Sequence, residues 1–404
     1  MNETKALQDS RHRATAPATS PYRGQCGEAP KRARRRNLLQ LLSIILVLSA
    51  IGTPWQEALA LPFLVTGTGS NDTPAARDGA HDFDFNVGVW HTRIRRIGDP
   101  FRDPTNSFEM NGTVTVRKIW GGRAQLEEIE ADGPKGHWEG LTLFLYNPHS
   151  HQWSQSFLDS KIAVLSAPLV GEFKDDRGEL FSQDTFHDKA IMVRGVWSDI
   201  TPDSHRYEES YSNDGGKTWV TAFDAHLTRE QERAPSDMAA GAEPMGSDPD
   251  GHAFDFDLGT WETHSSRLLD PLTGSTTWAD LDGRSVVHRV WGGRANLAEY
   301  KADGPAGHVE LLAMRWFNPN TSEWNLDFAT PNVGVFGEVP GVGQCKNGRC
   351  TFYDQEQVNG RYVWVRFSIW KITDDTGQSE QAFSNDGGKT WETNWTNKYT
   401  RVKQ

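Results

Sequence analysis

The chain has 404 residues, 36% of them hydrophobic and 24% charged, with 16 Trp and 19 Phe. That is too aromatic for a disordered chain and too polar for a polytopic membrane protein. The segment 1–60 carries nine Lys or Arg and four Asp or Glu, leaving 33 basic and 50 acidic groups, net −17, in the remainder. A body that acidic repels phosphate backbones and argues against nucleic-acid binding.

The chain opens with a targeting pattern. Lys31-Arg32-Ala33-Arg34-Arg35-Arg36 precedes a mostly apolar run at 38–51. That run is short for a membrane span, which needs about 20 apolar positions. Ala58-Leu59-Ala60 then fits a small-x-small cleavage site, so 1–60 reads as an export signal with a long basic lead-in. Arg35-Arg36-Asn37-Leu38-Leu39 also fits a twin-arginine route; an ordinary secretion signal and an uncleaved anchor are the alternatives. The expected destination is periplasmic or secreted, with no membrane insertion after signal removal. Residues 61–80 read as a disordered linker.

From residue 81 onward one unit is written twice. His81-Asp82-Phe83-Asp84-Phe85-Asn86-Val87-Gly88-Val89-Trp90 returns at 252–261 as His252-Ala253-Phe254-Asp255-Phe256-Asp257-Leu258-Gly259-Thr260-Trp261. Trp120-Gly121-Gly122-Arg123-Ala124 returns at the same offset as Trp291-Gly292-Gly293-Arg294-Ala295, and Ala131-Asp132-Gly133-Pro134 as Ala302-Asp303-Gly304-Pro305. Ser212-Asn213-Asp214-Gly215-Gly216-Lys217-Thr218-Trp219 returns at 384–391, one position later than that offset, and each copy ends in Thr-Arg, at Arg229 and Arg401. The period means two duplicated domains, 81–229 and 252–404, joined by an Ala-, Gly-, Pro- and acid-rich linker at 230–251. Short β-branched or aromatic runs such as 140–146 and 362–370 alternate with turn signals such as Asn147-Pro148 and Asp132-Gly133. This predicts an all-β fold, a barrel or sandwich.

The ends of the unit favour a barrel. Gly88-x-Trp90 and Gly259-x-Trp261 resemble the first-strand signature of lipocalin-like (calycin) barrels. There the Trp closes the barrel floor under an Arg from the last strand, which here would be Arg229 and Arg401. Such a cation–π contact is worth about 0.5–2 kcal/mol. The whole unit resembles an uncharacterised, mostly bacterial family of calycin-like barrel domains. Its members open with Phe-Asp-Phe-x-x-Gly-x-Trp and close with Ser-x-Asp-Gly-Gly-x-Thr-Trp-Glu-x-Asn-Trp. The second copy matches the closing motif through Glu392, Asn394 and Trp395; the first departs at Val220, Ala222 and Phe223. The resemblance implies two tandem calycin-like antiparallel β-barrels and brings no activity.

Strand parity supplies the site candidates. Trp120, Gly122, Ala124, Leu126 and Glu128 share one face, as do Trp291, Gly293, Ala295, Leu297 and Glu299, and we expect this mostly apolar face to point inward. The next strand would set Glu139 beside Glu128 and Glu310 beside Glu299. A carboxylate pair in an apolar cavity can serve as acid and base, with one pKa raised; the alternative is that the four are solvated beside a turn. Arg194 and Arg366 recur on a later strand, expected inward against a glutamate or a ligand, whereas Arg123 and Arg294 should be exposed. The predicted ligand-binding set is therefore Trp120, Glu128, Arg194, Trp291, Glu299 and Arg366. The candidate catalytic groups are Glu128, Glu139, Glu299 and Glu310.

Other motifs carry less. Ser-x-Asp-x-Gly-x-x-Trp is also the Asp-box of sialidase-type propellers, but two copies as far apart as 212–219 and 384–391 do not make a propeller. His226 resembles the proximal histidine of nitrobindin-type haem barrels, yet its counterpart is Lys398. No His- or Cys-rich spacing predicts a metal, and no cofactor is expected. In the second unit Cys345 and Cys350 flank Asn347-Gly348, a hairpin-turn signal, and should form a disulfide in an oxidising compartment. The preferred function is binding of a small, partly apolar ligand in one or both barrels. The alternatives are a lipocalin-like isomerase or hydrolase, and an interaction protein with filled barrels.

Overall fold

Ten antiparallel strands follow Asn86 in up-and-down order: β1 (Gly88–Asp99), β2 (Asp103–Ile119), β3 (Ala124–Gly133), β4 (Gly136–Asn147), β5 (Gln152–Asp159), β6 (Leu169–Lys174), β7 (Arg177–Phe186), β8 (Lys189–Ser198), β9 (Ser204–Ser212) and β10 (Val220–Arg229). β10 pairs back onto β1 and closes a barrel. The pattern repeats in β11 (Gly259–Leu268), β12 (Trp278–Val290), β13 (Ala295–Gly304), β14 (Gly307–Asn318), β15 (Glu323–Ala329), β16 (Gly341–Lys346), β17 (Arg349–Val358), β18 (Arg361–Thr373), β19 (Thr376–Ser384) and β20 (Glu392–Arg401), with β20 closing onto β11. This computed structural model describes residues 78–230, 249–305, 307–337 and 339–403. The export signal at 1–60, residues 61–77 and most of the 230–251 linker lie outside the described residues. Residues 78–80, expected in a linker, are held by the first barrel: Trp153 Nε1 donates to the Gly79 carbonyl (2.8 Å).

Turn chemistry sets the hairpins. Asn347-Gly348 (φ 53° and 75°) and Asn359-Gly360 (51° and 75°) put two consecutive residues at positive φ, as tight hairpins require. The first sets Cys345 opposite Cys350, and the two are disulfide-bonded.

One end of each barrel is sealed. Trp90 is fully buried, its Nε1 donating to the Asn86 carbonyl (2.8 Å), with the Arg229 guanidinium 4.0 Å from the ring. Arg229 also donates to the Val87 and Phe85 carbonyls. Trp261 and Arg401 repeat the latch at 4.0 Å, Arg401 donating to the Leu258 and Phe256 carbonyls. A Cβ at Gly88 would lie 2.4 Å from Arg229 Nη1, and its φ is +137°, so Gly-x-Trp needs its glycine. The Phe of the opening motif plugs the same end: Phe83 is fully buried between Phe144 (4.6 Å), Phe173 (4.8 Å) and Trp153 (5.2 Å).

The two barrels join through β3, β4 and the turn before β3 of the first, packed on the same elements of the second. One apolar cluster spans both, with Trp120, Ala124, Leu126, Leu141, Leu143 and Leu145 from one side and Trp291, Ala295, Leu297, Leu312, Met314 and Trp316 from the other. Trp120 (φ 53°) and Trp291 (φ 48°) sit at positive φ, unusual for so bulky a residue. This recurring strain turns each indole into the seam.

Candidate functional site

The face predicted to line each barrel is the face that joins the barrels. Register makes the assignment. Trp90 lies inside and pairs with Val114 and Arg229, which carries the inward face through Val116 to Glu127, Ile129 and Ala131 on β3. Trp120, Leu126 and Glu128 therefore point outward, and so do Trp291, Leu297 and Glu299. The misreading has a physical cause: β3 and β4 are buried on both faces, so alternation of apolar and polar residues cannot tell lumen from seam.

The four glutamates do not pair as expected. Glu128 accepts from Arg117 Nη1 (2.8 Å) and from the Trp291 backbone N–H. Glu299 answers it by accepting from the Trp120 N–H (3.0 Å) and from His288 Nε2 (3.2 Å). Glu139 accepts from Arg294 (2.7 Å), and Glu310 is bonded to Arg123. These reciprocal contacts form a pseudo-twofold seam, so Arg123 and Arg294 are interface groups and not simply exposed. Burial raises the Glu128 pKa against Arg117, whereas His288 lowers that of Glu299. Each carboxylate has its own partners, and no shared-proton dyad exists among them.

Arg194 and Arg366 also point away from the lumen. Each lies 4.7 Å over the tryptophan of its Asp-box, Trp219 or Trp391, and Arg366 bonds Glu380 (3.3 Å). In the boxes Asp214 and Asp386 cap the turn, each accepting from two backbone N–H groups and a threonine hydroxyl. These motifs are structural. His226 points outward with 62% of its side chain exposed, which removes it as a lumen ligand.

A cleft of about 690 Å³ opens along the seam beside Trp120, Gly121, Gly122 and Glu299. Its charged side chains are already engaged: Lys118 with Asp84 (2.8 Å), Arg123 with Glu310 and Glu299 with His288. It therefore offers little to a ligand.

Polar groups that sequence reasoning missed face the lumen of the first barrel. Ten strands enclose a wider interior than eight, which side chains just fill. Above the floor Glu127, 5% exposed, accepts from Thr142 Oγ1 (2.7 Å) and Asn86 Nδ2 (3.3 Å), and burial raises its pKa. Higher up, β9 presents Tyr207, Glu209 and Tyr211 on one inward face, opposite Gly195 and Phe223 at the Glu209 level. Tyr207 Oη donates to Glu209 Oε2 (3.4 Å), and the Tyr211 hydroxyl bonds the same carboxyl. Burial pushes the Glu209 pKa up, with the two hydroxyls pulling the other way. Glu209 and Tyr211 nevertheless keep part of their surface uncovered, and inward-facing Asp184 is exposed. Side chains that face inward yet remain accessible mark an open mouth. Arg96 stands there 4.0 Å from Asp159, which accepts from Trp138 Nε1 (2.6 Å). Phe101, from the β1–β2 turn, lies over the rim against Phe186 (6.0 Å) and Tyr211 (6.5 Å).

The second lumen differs at the corresponding places. Gln381 replaces Glu209, Ser379 replaces Tyr207 and Ala298 replaces Glu127. A buried Arg315–Asp257 pair (2.5 Å) sits near its floor, and Asp354 and Glu356 face inward from β17. Leu272, the counterpart of Phe101, packs with Val358, Val363 and Phe383. Among the described residues no three His, Cys, Asp or Glu side chains converge into a metal site.

No family model and no curated protein matches the chain. Among solved structures it is similar to an S-type phycobiliprotein lyase, CPES, from Guillardia theta (14% identity over 39% of this chain and 96% of that one, TM-score 0.29). It is also similar to EF1p2_mFAP2b bound to DFHBI (9% identity, 38% and 99% coverage, TM-score 0.23). A protein of unknown function from the DUF3598 family of Nostoc punctiforme matches across both barrels (10% identity, 81% and 100% coverage, TM-score 0.25).

Proposed function

We propose that this is an exported binding protein that holds a small, partly apolar ligand in the lumen of its first barrel. One observation carries the reading: the inward-facing Glu209, a residue not wholly covered, set between two tyrosines inside a barrel sealed at the opposite end. Floor, wall and rim are aromatic or aliphatic, and a few convergent polar groups are left to orient a guest, as in small-molecule sites generally. Export is supported by the signal pattern and by the Cys345–Cys350 disulfide. The isomerase or hydrolase reading loses its proposed machinery, because each of the four glutamates has a separate structural partner.

Native mass spectrometry of protein purified from its own host tests the proposal. A retained small molecule is expected in the wild type. Ala225 faces the lumen and is 5% exposed, so Ala225→Phe should fill the space and empty the protein. A ligand kept in full by a folded Ala225→Phe variant would place the site elsewhere.

A further inference from the structure

We infer that the ligand of the first barrel is a monocation on an apolar body, an organic amine, and that Glu209 holds its charge. This rests on the lumen reading above and adds the chemical class. The strand register fixes which ionisable groups face inward: Arg96, Lys118, Glu127, Asp159, Asp184, Lys189, His205, Glu209 and Arg229, with Tyr146, Tyr207 and Tyr211. Most are spoken for. Arg229 grips the floor carbonyls. His205 is an exception: 2% exposed, it lies against Trp90 (4.3 Å) with neither ring nitrogen hydrogen-bonded and is kept neutral by burial, its pKa pulled down to about 3. Glu127 is satisfied by Thr142 and Asn86. Tyr146 bonds Asp78. Asp159 takes the Trp138 indole and two backbone N–H groups and lies nearest to Arg96.

At the rim Lys189 is exposed, and what remains toward the mouth besides it is Glu209 and Asp184. Among the described residues neither forms an ion pair. Glu209 has hydroxyl partners, a second carboxylate in its field and Arg96 only at longer range. Toward the mouth two inward carboxylates thus outnumber the one inward lysine, and among the described residues neither carboxylate has a cation at ion-pair distance. A separate group on the same inward face points to a guest: the Thr92 hydroxyl, 4% exposed, has no partner. The second barrel does not repeat the excess, because Arg267 and Arg361 face inward beside its two carboxylates. Asp354 and Glu356 face its lumen, Asp354 Oδ1 is buried without a partner, and Arg267 lies over Trp395 (5.5 Å). Phe157, Phe223, Tyr207 and Tyr211 supply aromatic faces, which attract cations as well as apolar groups. A single ammonium among them would neutralise Glu209 while the body of the ligand covers the walls.

Calorimetry on the full exported chain decides the matter with three probes of one shape: 2-phenylethylamine, 2-phenylethanol and phenylacetate. The amine should bind at least tenfold tighter than the alcohol, with the carboxylate weakest. Glu209→Gln should erase the amine's advantage while leaving the alcohol's affinity within about twofold. Asp184→Asn should reduce the advantage severalfold; should Glu209→Gln fail to fold, as read by near-ultraviolet dichroism, an unchanged preference in Asp184→Asn refutes the inference. If alcohol or carboxylate binds as tightly as amine and Ala225→Phe abolishes that binding, the charge assignment falls while the lumen reading stands. Absence of binding by all three probes overturns both.

Discussion

Trp316 offers a quantitative test of the seam. It belongs to β14 of the second barrel but points away from that lumen, is 1% exposed, and donates its indole N–H to the Ala163 carbonyl of the first barrel at 3.0 Å. Truncating a buried tryptophan to alanine costs about 3–5 kcal/mol. Here that cost falls on association of the barrels, because the lost contacts lie in the cluster they share. A loss of about 3 kcal/mol weakens association roughly a hundredfold or more. The assay uses a protease site placed at Ala239-Ala240, between the described ends of the two barrels. After cleavage the wild-type halves should co-elute at micromolar concentration, held by the seam. The Trp316→Ala halves should separate, each still rich in strand by circular dichroism. Trp324→Ala is the control: that side chain lies in the core of the second barrel, so its loss should lower that barrel's melting temperature. Wild-type halves that part on cleavage would refute the seam. So would a Trp316→Ala variant whose halves stay together while the second barrel melts early.

Three further predictions follow from the same geometry. Thiol labelling of exported, unreduced protein should leave Cys345 and Cys350 unmodified; replacing both with serine should cost about 2 kcal/mol, since the closed loop is short. Arg401→Ala removes the cation over Trp261 and its bonds to the Leu258, Phe256 and Asp374 carbonyls, and should destabilise the second barrel by about 2 kcal/mol or more, with lysine restoring part. Burial raises the pKa of Asp327 and of Asp354 from 3.8 to about 7. The folded second barrel therefore keeps protons that the unfolded chain has released, and the contribution of these two groups to its stability should be full below that window and be lost as pH rises from about 4 to 7. Asp354→Asn should flatten the fall in pH-dependent urea titrations; an unchanged slope would show that Asp354 does not contribute.

The barrel architecture was legible because its signals are local or repeated. Gly-x-Trp, the terminal Arg and the turn pairs act within a few residues, and their recurrence identified two copies of one unit. The site was not legible, because parity needs an anchor. Trp90 was one, and counting from it places Ile94 and Arg96 inward on β1. The count cannot cross to β3, however, since Trp120-Gly121-Gly122 breaks the alternation, each of its members at positive φ. Beyond that break both faces are buried, and an apolar stripe ending in glutamate reads the same whether it borders a cavity or a second barrel.

Recurrence itself points in a particular direction. The residues kept in both copies are those that build: the Trp–Arg floor, the Trp-Gly-Gly-Arg turn, the paired seam glutamates and the Asp-boxes with an arginine stacked on each. At the inward positions the copies diverge, Tyr207 to Ser379, Glu209 to Gln381, Glu127 to Ala298 and Phe144 to Arg315. A duplicated chain whose halves pack against each other must keep the seam in both, because each half presents it to the other. Nothing couples the two lumens in that way, so each is free to take its own guest. Choosing site residues by their recurrence therefore selects the scaffold, and the groups that distinguish one barrel from the other, Glu209 above all, are where the binding chemistry should be sought.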